Sequence, residues 1–100
     1  MLHEDITSKI IEAFYTVYNT LGHGFLEKVY ENALRQEIRN CKLGVEQQKQ
    51  ISVFYEDGKV GDYFADLLVE KKIILEVKSA ESLREEHELQ LINYLKATNI

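Results

Sequence analysis

The sequence predicts an α+β domain in which helices flank a three-stranded, mainly antiparallel sheet. Up to Asn40 apolar side chains recur at helical spacing, whereas from Val45 they alternate in the period of a strand. The stretch 60–79, VGDYFADLLVEKKIILEVKS, then reads as two further strands joined by a tight loop. Its second half, Ile73-Ile74-Leu75 with Val77, is the near-continuous apolar run of a strand buried on both faces. A chain of 100 residues makes one domain, 1–100, with a modest core.

Ile6, Ile10, Ile11, Phe14, Val17, Tyr18 and Leu21 form one face of a first helix, capped by Asp5 and ended by Gly22. Gly22-His23-Gly24 breaks the chain between helices, and a lone loop histidine such as His23 is more often neither a metal ligand nor a general base. A second helix is expected over 25–40, with Leu26, Val29, Tyr30, Ala33, Leu34 and Ile38 on its apolar side. Glu27 falls in its first turn, where the helix dipole favours a carboxylate. Glu31 reads as the solvated partner of Arg35, four residues on. The next stretch, 45–55, is a strand, and Glu56-Asp57-Gly58-Lys59 supplies an Asp-Gly hairpin turn.

In the organising stretch, a loop of Glu70, Lys71 and Lys72 pairs Val69 with Ile73 and sets Asp66 opposite Glu76. Alternation places Asp66 with Phe64 and Leu68, and Glu76 and Lys78 with Ile74. Two opposed carboxylates repel unless a positive charge lies between them, and a divalent cation is the obvious one. Charged strand residues are mostly solvated, so the apolar surroundings are what raise these three above that reading. Beyond them Ser82-Leu83-Arg84-Glu85 has the form of a capping box, so a last helix is expected from Leu83. His87, Gln90 and Tyr94 share one face of it.

Composition narrows the function classes. A net charge of −5 argues against strong nonspecific nucleic-acid binding, although acids gathered at a cation inflate that count. No apolar run reaches the length of a membrane span and the N-terminus lacks a signal-peptide core, while Cys41 is the single cysteine. A cytoplasmic protein with no membrane partner is the expectation.

Gly24-Phe25-Leu26-Glu27-Lys28-Val29-Tyr30 matches G-x-x-E-x-x-Y, and the chain resembles the GxxExxY family of the PD-(D/E)XK nuclease-like superfamily. The likeness extends from about Ile10 to Ile100 and takes in Asp66, Glu76-Val77-Lys78, and Gln90-Leu91-Ile92-Asn93-Tyr94 as a Q-x-x-x-Y element. It implies a restriction-endonuclease-like αβββα core and a Mg2+- or Mn2+-dependent nuclease acting on DNA. Asp66 and Glu76 would hold the metal with Glu27 as a further acid, directly or through water, while Lys78 handles the attacking water. Gln90 and Tyr94 would orient the site or contact a phosphate. Ala65 replaces the proline common in that family. The chain ends at Ile100, where the family's fourth, parallel strand is due, so the domain reads as C-terminally short. An open sheet edge beside the Glu-Val-Lys strand would then favour a homo-oligomer. The alternative function is a catalytically inactive nuclease-like scaffold binding a protein or nucleic acid.

Overall fold

The computed structural model describes residues 4–78 and, for the backbone alone, 90–93. Helix α1 (Glu4–Leu21) buries Ile10, Ala13, Phe14 and Val17, a stripe at three- and four-residue intervals. Asp5, expected as its cap, lies inside the first turn, where the dipole still favours it. Gly22 closes the helix at φ +64°, its N–H reaching Tyr18 O at 2.9 Å, a left-handed stop that suits glycine. Helix α2 (Glu27–Asn40) starts two residues later than the periodicity suggested, because Leu26 has extended backbone and sits at the cap position. Leu26 and Val29, expected on the apolar side, are exposed; Tyr30, Leu34 and Ile38 carry the burial. The helices meet through the stacked rings of Tyr18 and Tyr30, 4.7 Å apart.

Strands β1 (Val45–Tyr55) and β2 (Gly58–Val69) form a long antiparallel hairpin, with Val45 opposite Val69 at one end and Tyr55 opposite Gly58 at the other. The turn lies where expected, but its central pair is Glu56-Asp57, both in the left-handed region. Strand β3 (Ile73–Glu76) returns from the 70–72 loop with Val69 opposite Ile73, the register read from the sequence. Three antiparallel strands and two helices thus give an α+β fold consistent with the core that the resemblance implies.

The expected helix from Leu83 is corrected in part. Its opening residues lie outside the described ones, but Gln90–Asn93 is a strand, β4, antiparallel to β3 with Gln90 opposite Glu76. Unpaired N–H and C=O groups along an apolar edge need partners, and that tertiary demand overrides the helical spacing of Gln90. The β3 edge is therefore occupied over Ile73–Glu76 and does not serve there as an open edge for a second copy. Tyr94 lies outside the described residues.

The sheet carries apolar residues on both sides. Leu67, Val69, Ile73, Leu75 and Val77 pack with the helices, while Ile51, Ala65, Leu68 and Ile74 form a second cluster. Strict alternation would keep Ala65 with Leu67 and away from Leu68, so the faces exchange once between them. Strand β1 does the same: Val45 packs on the helix side, yet Ile51, of equal parity, belongs to the second cluster. Between those two, Gln48 holds φ +51°. A left-handed residue within a strand turns the succeeding side chains to the other face.

Candidate functional site

The exchange of faces brings Gln48 and Asp66 to the centre of a polar network. Because the strand is rotated there, consecutive side chains of β1 reach the same residue of α2. Gln47 Nε2 donates to Glu31 Oε2 at 2.6 Å, and Gln48 Nε2 donates to it at 3.1 Å. The same Gln48 nitrogen donates to Asp66 Oδ1 at 3.1 Å. Asp66 Oδ2 accepts the backbone N–H of Val77 at 2.9 Å, a donor left free because the paired register of β2 with β3 stops at Leu67 opposite Leu75. Asp66 is thus tied to β1 and to the segment after β3, and through Gln48 to α2.

Glu31 is the buried carboxylate of the described residues, 5 % exposed, and Lys28 Nζ completes its shell at 3.1 Å. Burial pushes its carboxyl up, but the bonds from Gln47, Gln48 and Lys28 together outweigh that and hold it below the ordinary glutamate value. The expected pairing of Glu31 with Arg35 is not what the structure shows: the carboxylate turns to the sheet, toward amides. Its spacing with Leu34 and Ile38 was the available sign of burial. No sign in the sequence marks Gln48, since glutamine has no preference for left-handed backbone.

Glu76 lies one step beyond the last β2–β3 pair, Leu67 with Leu75, and is paired on its other side with Gln90. Its Oε1 accepts the hydroxyl of Tyr63. Burial pushes the Tyr63 hydroxyl well up, the bond to Glu76 and the nearby Asp66 charge push it further, and Tyr63 stays a proton donor across the neutral range. Lys78 is exposed, and its carbonyl accepts the Tyr18 hydroxyl, which fastens α1 to the end of this segment. Burial, Tyr30 and the charge of Glu27 keep that hydroxyl protonated. Glu27 itself is exposed in the first turn of α2.

The structure therefore joins Asp66 to Val77, Gln48 and, through Gln48, Glu31, and joins Glu76 separately to Tyr63. Among the described residues no group of three His, Cys, Asp or Glu side chains converges on one point, so Glu27 does not complete a three-acid set with Asp66 and Glu76. Two carboxylates on neighbouring strands still fit a hard divalent cation that keeps most of its waters, since such an ion uses one or two carboxylates. That fit concerns donor chemistry: oxygen ligands alone, with no thiolate or imidazole in the group.

No curated protein and no solved structure matches the chain. A family model described as the PD-(D/E)XK nuclease superfamily matches residues 4–100. With its two helices and antiparallel strands in place, the chain belongs to the PD-(D/E)XK nuclease superfamily.

Proposed function

We propose that this protein is a Mg2+- or Mn2+-dependent nuclease that hydrolyses phosphodiester bonds in DNA, within the GxxExxY branch of the superfamily. The carrying observation is that Asp66 and Glu76 are the residues next beyond the last β2–β3 pair, with Lys78 two residues further on, in a chain of nuclease family. Asp66 and Glu76 would hold the cation, which when bound polarises the phosphodiester and lowers the pKa of its water. Gln48 and the Val77 N–H fix the direction of the Asp66 oxygens, and Tyr63 fixes Glu76. Lys78 supplies an ammonium to position the attacking water and offset charge on the phosphorane. Gln90, whose backbone faces Glu76 across β3 and β4, and Tyr94 would orient the site or a phosphate. Glu27 is assigned at most a water-mediated part. A cytoplasmic location belongs to the same proposal, with Cys41 a free thiol. Among the described residues no helix is long and apolar enough to cross a membrane.

The test is cleavage of single- and double-stranded DNA with Mg2+ or Mn2+. Asp66→Ala, Glu76→Ala and Lys78→Ala are each expected to lower the rate by about 100-fold or more, the range for losing a positioned catalytic group. Glu27→Ala is expected to retain most of it. Metal-independent cutting, or equal cutting by all four variants, would sink the proposal.

A second reading, a scaffold that binds a partner without cutting, is favoured by one observation. Both Asp66 oxygens and one Glu76 oxygen are already satisfied by protein donors. Calorimetry with Mn2+ separates the two, because heat of binding is expected only of the enzyme.

A further inference from the structure

Helix α2 carries a second charged feature beyond the acids. Glu31, Arg35 and Arg39 succeed one another at four-residue intervals, each step advancing about 6 Å along the axis. The line starts acidic at Glu31, which Gln48 links to Asp66, and becomes basic toward the helix C-terminus. Arg35 and Arg39 line a shallow pocket of about 400 Å³ together with Gln36 and Asn40, whose side-chain amides add further hydrogen-bonding groups. Glu31, the carboxylate one turn before Arg35, is spoken for by Gln47, Gln48 and Lys28.

Arg35 Nε is buried and has no hydrogen-bond partner among the described residues. Buried polar atoms are nearly always paired, and a guanidinium edge is among the costliest to leave bare. Two arginines at i and i+4 also repel each other. Arg39 is accounted for by the helix dipole, as a cation in the last turn. That argument does not reach Arg35, which lies a turn further in. An anion in the pocket would lie between the two guanidinium groups and offset their repulsion. The half-charge of a helix C-terminus opposes an anion there, but two full positive charges outweigh it.

We infer that Arg35 and Arg39 form a phosphate-binding subsite, in which consecutive backbone phosphates of a nucleic-acid strand lie along α2. This rests on the nuclease reading and extends it to the substrate. In a chain of net charge −5 with twelve basic residues, two of them share this pocket on one turn of α2.

The experiment is fluorescence anisotropy with a labelled DNA oligonucleotide, single- and double-stranded, in EDTA so that nothing is cut, over a series of salt concentrations. Each phosphate contact contributes about 0.7 (single strand) or 0.9 (duplex) to the slope of log K against log salt. Arg35→Gln/Arg39→Gln is expected to flatten that slope by about 1.4 to 1.8 and to weaken binding by about tenfold or more. Arg35→Lys/Arg39→Lys keeps the charges and is expected to keep the slope. Lys59→Gln, on the hairpin and paired with Asp62 at 3.0 Å, serves as the charge control and is expected to leave it unmoved. A wild-type slope in the double Gln variant overturns the subsite and leaves the nuclease reading standing. Failure of the wild type to bind any oligonucleotide overturns both. An equal flattening by Lys59→Gln would show a diffuse charge effect and would overturn the subsite as well.

Discussion

At the scale of single residues, Glu31 and Gln48 decide how the polar network is built. Glu31 titrates below an ordinary glutamate in the folded state, so its contribution to stability is complete above the unfolded value of about 4.3 and is lost as pH falls through the lower folded value. Glu31→Gln is therefore expected to cost about 1–3 kcal/mol at pH 7, because it spoils the charge-assisted bonds that satisfy a buried side chain. Urea unfolding at pH 7 and pH 3 checks the sign: the gap between variant and wild type should shrink at the lower pH. Gln48 combines a strained backbone with a bridging side chain. Gln48→Gly loses the amide but relieves the left-handed strain, whereas Gln48→Ala loses the amide and keeps it. The glycine variant should be the more stable of the two by about 1 kcal/mol. Equal stabilities would show that the backbone at this position is not strained.

At the scale of elements, the two-residue turn after β1 and the three-residue loop after β2 share one backbone feature. Glu56-Asp57 and Glu70-Lys71 each hold two consecutive residues at positive φ, which in the two-residue turn is the form that matches the twist of the strands. Neither pair contains the glycine such turns prefer. Glu70 has a compensating bond, its Oε2 accepting the N–H of Gly44 at 2.6 Å and so tying the loop to the start of β1. The residues of the Glu56-Asp57 turn are exposed, and the turn stands at the far tip of the hairpin. Glu56→Asn with Asp57→Gly is expected to raise stability by about 1 kcal/mol, seen as a higher thermal midpoint. A neutral or lower midpoint would mean that the turn is not of this type. The Asp-Gly pair was legible in the sequence, yet the structure places Gly58 in the strand opposite Tyr55. A one-residue offset of this kind comes from strand register, which local turn chemistry does not fix.

At the scale of the molecule, the helices cover one side of the sheet and the acids lie where the β2–β3 ladder ends. A ligand that binds only the folded form stabilises it: at one hundred times its Kd, Mn2+ should add about 2.7 kcal/mol. For a domain of this size that is a rise in melting temperature of roughly 10–20 °C. Asp66→Asn/Glu76→Gln should abolish the rise while remaining folded, and a rise that survives in that variant would place the cation elsewhere. The first two helices, the hairpin and the 70–72 loop were all readable from the amino-acid order, because periodicity and loop length are local properties. The exchange of sheet faces at Gln48, the burial of Glu31 and the strand at Gln90–Asn93 were not. Each arises from a demand made by distant parts of the chain: a carboxylate facing amides on another element, or an apolar edge needing hydrogen-bond partners. Spacing along the chain determined which residues could share a side. Only the packing of helix against sheet decided which of them do, since burial and backbone pairing are settled between elements and not within them.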